Sequence, residues 1–372
     1  MANQYQGRQK HEKARQLYQY DVENFSHDMY AMWSQVEIIY SHIREANDVA
    51  ADEAFDKLLA VFSKQPTLPK EIYQIADEYG EAGRYDKADQ LYQHVLDNCP
   101  NTEHAILSQM GVAEINVLSL IDSGNDTAAQ EALDNLIADF NDHPGLPEVV
   151  FVVGEQYYYK AFDDPKKCIK VKSEEYLNKA KDIWERIVAQ WPESQSIGLK
   201  HASYFSAVCY RRLGEYENAI RYYQKVVDNW PNYLYAWSAQ SLIPQCYEKL
   251  RNAGSLSESE ANLKIEQAYE AVVEEYSDCP LVGNACLKLG QINFKKGQWV
   301  LAAQFFELFL QENAGGPRQL RVLYDLGRAY EKMGEFEQAA QVYGEFIKIA
   351  DPTDPRIKRV EARLEELEGV KK

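Results

Sequence analysis

Apolar residues recur at helical spacing in a segment that is repeated along the chain. In YENAIRYYQKVV (216–227), the residues that share one helical face are Ala219, Ile220, Tyr223, Val226 and Val227. The preceding segment, HASYFSAVCYRRLG, ends at Gly214, a residue typical of helix C-termini. Pro231 ends the second segment, because proline lacks the backbone N–H that a helix needs. The pattern predicts two antiparallel helices joined by a short turn, and strand patterns are nearly absent.

The same unit recurs along most of the chain. An alanine is followed twelve residues later by a proline in six pairs: Ala54 and Pro66, Ala88 and Pro100, Ala132 and Pro144, Ala180 and Pro192, Ala219 and Pro231, and Ala268 and Pro280. Ala302 and Ala339 begin two further copies. Repeated helical units, each with one apolar stripe, stack so that the stripe is buried against the neighbouring unit. The sequence therefore predicts about eight helical hairpins.

The repeats divide the chain into three parts. Residues 28–352 form the predicted array, preceded by an irregular or helical extension over 1–27. Residues 353–372 predict a C-terminal capping helix, because one face is apolar (Ile357, Val360, Leu364 and Leu367) and the other is charged.

Two insertions interrupt the array, at 162–177 and 251–264. The first carries a basic run of four lysines: Lys166, Lys167, Lys170 and Lys172. Insertions in repeat proteins fall on loops that either contact a partner or are simply solvated, and both interpretations stay open here.

Two late repeats resemble the tetratricopeptide repeat (TPR) family. The segment 289–309 matches at Leu289, Gly290, Gly297, Trp299, Ala302 and Phe306. The segment 326–346 matches at Leu326, Gly327, Tyr330, Gly334, Phe336, Ala339, Tyr343 and Phe346. Tyrosine-led repeats ending in NWP or DCP are most similar to bacterial arrays of envelope-assembly and Tol–Pal-associated proteins. The resemblance implies an all-α, right-handed superhelical solenoid with a concave groove lined by the first helix of each hairpin.

Charge and composition narrow the classes of partner. The chain has 40 Lys and Arg against 58 Asp and Glu, a formal charge of −18, which disfavours nucleic acid and anionic lipid. The longest apolar run, VVFVV at 149–153, is far shorter than a membrane span, and the N-terminus lacks the apolar stretch of a signal peptide. We therefore expect no membrane insertion and a cytoplasmic protein. A periplasmic location is the alternative if an upstream signal has been removed.

Motifs for catalysis, metal binding and cofactor binding do not occur in the sequence. It has no phosphate-binding glycine loop, no GxSxG and no HExxH, and its seven histidines are scattered singly. The six cysteines form no CxxC motif, and they are interpreted as packing residues rather than a disulfide framework. Most carboxylates are interpreted as solvated helix faces. We expect neither an enzyme nor a bound cofactor.

The resemblance places a row of candidate partner-binding residues on the first helices. Aromatic or apolar residues recur there as Tyr73, Phe151, Tyr204, Leu287 and Tyr324, and Tyr158 and Tyr159 follow one or two turns later in one hairpin. Arg211, Lys288 and Arg328 are expected to contact a carboxylate or an acidic peptide. The asparagines of the family's chaperone clamp are replaced by Asp77, Val208, Gln291 and Arg328, which disfavours that ligand. The alternative is that these rings pack against the next repeat.

These observations predict a non-catalytic scaffold that binds a protein or peptide in the concave groove. The alternative is a structural spacer or a self-associating segment of a larger multi-domain or envelope-associated protein, and homo-oligomerisation is left open. Nucleic acid is not an expected partner.

Overall fold

The computed structural model describes residues 11–25, 28–164, 168, 170–312, 315 and 318–370. These residues form 18 α-helices and no strand beyond an isolated bridge between Phe162 and Val171, which confirms the all-α prediction. The helices are α1 (His11–Asn24), α2 (Met29–Arg44), α3 (Asp48–Phe62), α4 (Leu68–Glu81), α5 (Tyr85–Asn98), α6 (Glu103–Asp122), α7 (Asp126–Asp139), α8 (Leu146–Lys160), α9 (Glu174–Gln190), α10 (Ile197–Leu213), α11 (Tyr216–Asn229), α12 (Ala236–Asn252), α13 (Glu258–Glu275), α14 (Val282–Lys296), α15 (Trp299–Glu312), α16 (Gln319–Met333), α17 (Phe336–Ile349) and α18 (Ile357–Val370).

The helices pack as antiparallel pairs in two compact units, Met1–Leu199 and Lys200–Lys372. Unit 1 holds the hairpins α2–α3, α4–α5, α6–α7 and α8–α9, with α1 packed on α2. Unit 2 holds the hairpins α12–α13, α14–α15 and α16–α17, with α18 packed on α17. It also contains the hairpin α10–α11, except for the start of α10 before Lys200. The described residues thus contain the predicted eight hairpins. Within unit 1, the first helices of successive hairpins also contact one another.

Short turns with a left-handed residue join the two helices of most hairpins. A glycine with φ between 70° and 83° takes this place in six turns, as Gly83, Gly124, Gly214, Gly254, Gly297 and Gly334. Ala46 takes it between α2 and α3, with φ of 59°. Glycine adopts this conformation without the steric cost of a Cβ atom, so it ends the first helix and lets the chain reverse.

A close approach of glycine to an aromatic ring fixes the packing inside three hairpins. In each pair a Cβ added to the glycine of the first helix would lie under 3.0 Å from the ring of the second helix. The pairs are Gly154 with Trp184, Gly290 with Phe306, and Gly327 with Tyr343. Because no Cβ intervenes, the two backbones can approach until the ring contacts the glycine directly.

In four hairpins the repeating alanine lies in the first turn of the second helix. Ala88, Ala219, Ala302 and Ala339 are completely buried there. Ala132, of the pair with Pro144, is only half-buried, because Ala129 occupies the buried position in the first turn of α7, where its N–H donates to the Asn125 carbonyl at 2.9 Å. The twelve-residue spacing to proline misplaced the register there, because the loop after α7 is longer.

Helices also cover both ends of the array. Over the predicted extension 1–27, residues His11–Asn24 form α1, which buries Ala14 and Tyr18, while residues 1–10 and 26–27 lie outside the described part. At the other end α18 buries Val360 and Leu367 against the last hairpin, as a capping helix does. Residues 371–372 are not described.

The two insertions differ in structure. In 162–177, Lys170 pairs with Asp163 at 3.4 Å and Ser173 caps α9, whereas Lys166 and Lys167 lie outside the described residues. In 251–264, Ser257 caps α13, so the last seven residues of this insertion lengthen a helix instead of forming a loop.

One helix in the described part of the chain, α6, is long and apolar enough to cross a membrane when judged by length and composition alone. In this structure α6 pairs with α7, and it buries Ala105, Met110, Ile115, Val117, Leu118 and Ile121 in the core. A core helix passes the same test of length and composition.

Candidate partner-binding surface

Arg328 is the predicted basic residue with the most defined surroundings. Its guanidinium carbon lies 4.8 Å from the centre of the Phe294 ring and 5.8 Å from that of Tyr324. The side chain is 44% exposed, and it forms an ion pair with Asp325 at 3.6 Å, one turn earlier on α16. Stacking on a ring limits the rotamers of the arginine while its N–H groups stay accessible. Arg328 therefore presents an oriented cation on the first-helix surface of unit 2.

The other two predicted basic residues already have partners in the fold. The Lys288 ammonium donates to Glu248 at 2.9 Å. The Arg211 Nε–H donates weakly to the Tyr223 hydroxyl at 3.4 Å. Both side chains are only partly exposed. A partner carboxylate would have to compete with Glu248 for Lys288.

Tyr204 packs against the next hairpin, as in the alternative interpretation that the first-helix aromatics pack against the next repeat. It is only 8% exposed. Its ring stacks on that of Tyr235 at 4.8 Å, and its hydroxyl lies 2.9 Å from the Ser238 hydroxyl. Tyr324 is half-buried and lies 6.2 Å from the Phe346 ring.

Two predicted partner-binding residues of unit 1 belong to its core. Phe151 and Tyr158 are 7% and 6% exposed. Their rings lie 5.5 and 5.6 Å from that of Trp184, whose indole N–H donates to the Phe151 carbonyl at 3.1 Å. Phe151 and Tyr158 are therefore core residues, and they do not form part of the exposed row of partner-binding aromatics that the sequence predicts. Trp184 follows the insertion at 162–177, which separates it from α8 in the sequence and hides the pairing.

The remaining two aromatics, Tyr73 and Tyr159, lie nearer the surface of unit 1. Tyr73 is half-buried, with its ring 5.8 Å from that of Tyr92. Tyr159 is 42% exposed, and its hydroxyl donates to Glu155 at 3.4 Å. Tyr73 also forms a hydrogen bond with Asp77. Both tyrosines are therefore close to carboxylates, a type of residue that the sequence predicts on solvated helix faces.

Four carboxylates with altered pKa values lie on the first helices of unit 1: Asp77 and Glu81 on α4, Glu114 on α6 and Glu155 on α8. Burial, and then the charges of Asp77 and Glu81, raise the pKa of Glu114 to about 8. Burial raises the pKa of Asp77 to about 6, although hydrogen bonds from Tyr92 and Tyr73 favour its ionised form. Burial and the charge of Glu81 also outweigh the Tyr159 hydrogen bond and raise the pKa of Glu155.

The sequence pattern does not single out these carboxylates. The one available signal was Asp77 at a position where the family's clamp has asparagine. Glu114 was hidden because α6 is 20 residues long and its register relative to the family pattern is not evident.

The potential chemistry of other side chains is limited by packing. Cys209, Cys246, Cys279 and Cys286 are buried, and burial raises the pKa of Cys246 to about 12, which disfavours a reactive thiolate. Among the described residues, no group of three or more His, Cys, Asp or Glu is arranged to hold a metal ion.

Stacked helical hairpins with a glycine turn, a buried first-turn alanine and a ring four residues later define a class of helical-repeat protein. Comparison with family models identifies the repeat. Residues 202–233 and 321–350 match one tetratricopeptide repeat model, and residues 72–102 match another. The chain therefore contains tetratricopeptide repeats, and such repeats generally serve as non-catalytic scaffolds for protein–protein interaction.

Solved structures with a similar course of the chain include three bacterial repeat proteins. The C-terminal part of a TPR repeat-containing protein from Cytophaga hutchinsonii is 15% identical, with a TM-score of 0.46, over 77% of this chain and 99% of that one. A tetratricopeptide repeat protein from Parabacteroides merdae is 13% identical, with a TM-score of 0.32, over 80% and 98%. A thermophilic TPR protein from Thermus thermophilus is 16% identical, with a TM-score of 0.30, over 59% and 98%. No curated protein sequence matches significantly. The likeness to Tol–Pal-associated arrays stays a prediction.

Proposed function

We propose that this protein is a scaffold whose first-helix surface in unit 2 binds a carboxylate-bearing segment of a partner protein. The observation that carries the proposal is the exposed guanidinium of Arg328 above Phe294 and Tyr324. Arg211, on another first helix of the same unit, is partly exposed and adds positive charge to the unit, whereas Lys288 is paired with Glu248.

The geometry around Arg328 suits recognition of a carboxylate. A guanidinium can donate two parallel N–H groups to a carboxylate, which gives both energy and orientation. Since the rings of Phe294 and Tyr324 already restrict the side chain, less rotamer entropy is lost on binding. The partly exposed rings also offer apolar contact area to a residue next to the carboxylate.

Peptide selection followed by measurement on matched variants tests the proposal. Peptides selected from a random library on the full chain are expected to be enriched in Asp and Glu. Their affinity is expected to fall at least about tenfold for Arg328→Glu, which is roughly 1.4 kcal/mol. Arg221→Glu is the matched control, because Arg221 is also exposed and lies 5.4 Å from the Tyr222 ring, but on a second helix.

Circular dichroism of both variants establishes that they keep the helical fold. Selected peptides without acidic enrichment would contradict the proposal. So would equal affinity for Arg328→Glu and the unaltered chain.

A further inference from the structure

Two exposed apolar residues distinguish α15 from other second helices. Between the ring residue that begins the helix and the repeating alanine, three other second helices carry polar or charged pairs: Asp86 and Lys87 in α5, Glu217 and Asn218 in α11, and Glu337 and Gln338 in α17. At the same two positions α15 carries Val300 and Leu301, which are 55% and 43% exposed. The hairpin fold therefore does not require apolar side chains here.

Val300 and Leu301 line an open cavity of about 460 Å³ in unit 2. Its walls also include Trp299, which begins α15, and Met333, the last residue of α16. These four side chains are all at least partly exposed. The volume lies in the range of ligand sites, and adjoining exposed apolar side chains are typical of interaction sites. The cavity is therefore suited to an apolar group of a partner.

Phe294 connects this cavity to Arg328. The Arg328 guanidinium carbon lies 4.8 Å from the centre of the Phe294 ring. The Trp299 ring, in the cavity wall, lies 5.0 Å from the same ring in an edge-to-face arrangement. The guanidinium and the indole are therefore at most about 10 Å apart. The cation and the apolar cavity thus belong to one continuous surface.

Charged residues beside the cavity separate the places for an acid and for an apolar group. Lys332 directly precedes Met333, Lys295 lies two residues before Gly297 at the cavity, and both lysines are exposed. Glu335 lines the cavity itself, so it repels a carboxylate from that place. A partner carboxylate is therefore attracted to Arg328, and the cavity is left for a neutral side chain.

We infer that the cavity binds a large apolar side chain of the partner segment whose carboxylate binds Arg328. In an extended chain, residues i and i+2 point to the same side and lie about 7 Å apart, whereas direct neighbours point to opposite sides. This spacing fits the separation of the guanidinium and the indole. The inference rests on the proposed function and specifies its partner, a segment with one residue between the acid and the apolar residue.

Anionic lipid and a second copy of the chain are the other occupants to consider for an exposed apolar surface. The formal charge of −18 disfavours an anionic membrane. It also opposes the association of two copies, because both carry the same charge. A segment with an acid and an apolar residue uses both parts of the surface, and it is the occupant that the geometry around Phe294 favours.

Fluorescence anisotropy with the full chain and three labelled peptides tests the inference. Each peptide has blocked termini, so that a central Glu is its only carboxylate among Ser and Gly residues. The spaced peptide has Phe two residues away on both sides of Glu, which allows either chain direction. The adjacent peptide has the same composition with Phe directly beside Glu, and the third has Ala in place of the spaced Phe. We expect the spaced peptide to bind at least about fivefold more tightly than the other two.

Matched double variants establish where the apolar side chain binds. Val300→Gln with Leu301→Gln makes the cavity polar, and it is expected to remove the advantage of the spaced peptide over the Ala peptide. Leu263→Gln with Leu308→Gln removes two exposed apolar side chains from second helices of unit 2 outside the cavity, and it is expected to keep that advantage. Glutamine is a good helix former, and thermal melts by circular dichroism establish folding.

Equal affinity for the spaced and adjacent peptides would overturn the inference, and so would equal losses in the two double variants. Binding to vesicles of anionic phospholipid, or dimerisation in sedimentation equilibrium, would also overturn it if Val300→Gln with Leu301→Gln abolished that association.

The variant Arg328→Glu separates this inference from the proposed function. It is expected to weaken the binding of all three peptides. If it does so while the spaced and adjacent peptides bind equally, the proposed function stands and this inference alone fails. If Arg328→Glu weakens none of them, both fail.

Discussion

Glu114 offers a direct test of the electrostatics in unit 1. Its pKa of about 8 compares with an ordinary value of 4.5. Between these values the folded chain holds a proton that the unfolded chain has released, so the free energy of unfolding falls as pH rises through this window. The slope is up to about 1.4 kcal/mol per pH unit for one group. The stability contributed by protonated Glu114 is therefore complete below pH 4.5 and declines towards pH 8.

The change Glu114→Gln removes this titration and keeps the shape of the side chain. If the whole pKa shift acted on stability, protonation of Glu114 would change the free energy of unfolding by about 3 kcal/mol between pH 4.5 and pH 7. Access of water to the partly exposed carboxyl group makes the actual change smaller. We expect the variant to be more stable by about 1–2 kcal/mol at pH 7 and unchanged near pH 4. On α4, the titratable groups that face Glu114 are Tyr73, Asp77 and Glu81. On α5, they are Tyr85 and Tyr92.

Urea unfolding by circular dichroism at the two pH values measures the change. Hydrogen exchange of the α6 amides assigns it to unit 1. Glu131→Gln, at an exposed position on α7, is the control and is expected to alter neither value. An equal gain at pH 4 and pH 7, or a loss of stability at pH 7, would refute the electrostatic explanation.

Packing within the hairpins leads to two further predictions. Gly327→Ala is expected to destabilise unit 2 by about 1–3 kcal/mol, because the added methyl would lie under 3.0 Å from the Tyr343 ring. The control is Gly344→Ala, at a helical site with open space around it, which is expected to be neutral or to stabilise by up to about 1 kcal/mol. If the two variants changed the free energy of urea unfolding equally, the ring contact would not explain the effect. Trp184→Phe is expected to destabilise unit 1 by about 1–3 kcal/mol, because it removes the donor to the Phe151 carbonyl and leaves a void. In the same assay Trp299→Phe, at a half-buried ring, is expected to cost less, and an equal cost would contradict the role of burial.

The hairpins could be predicted because each requires the same residues at the same places. Gly214 must adopt φ of 83°, and Ala219 must be small where two helices meet, so both leave a local signal. Ala132 shows the limit of such a signal. A fixed distance to the next proline identifies the buried alanine only when the intervening helix and loop keep their length.

The candidate surfaces were less predictable, because they depend on contacts between hairpins. Phe151 and Tyr158 follow the pattern of exposed first-helix residues, yet Trp184 from the second helix covers them. Glu114 is an ordinary acidic residue in the sequence. It becomes unusual only when it is buried and α4 places the charges of Asp77 and Glu81 near it. Which side chains from separate repeats meet is determined by the packing, and a single repeat does not encode it.

The contact of glycine with a ring also limits how hairpins can be recombined. Gly154 faces an indole, Gly290 a phenyl and Gly327 a phenol, so in these three hairpins the first helix is shaped for the ring of its own second helix. Exchanging single helices between hairpins would pair a glycine with the wrong ring, or a ring with a residue that has a Cβ atom. In these three repeats, the smallest part that can be transplanted into a chimera is therefore the complete hairpin.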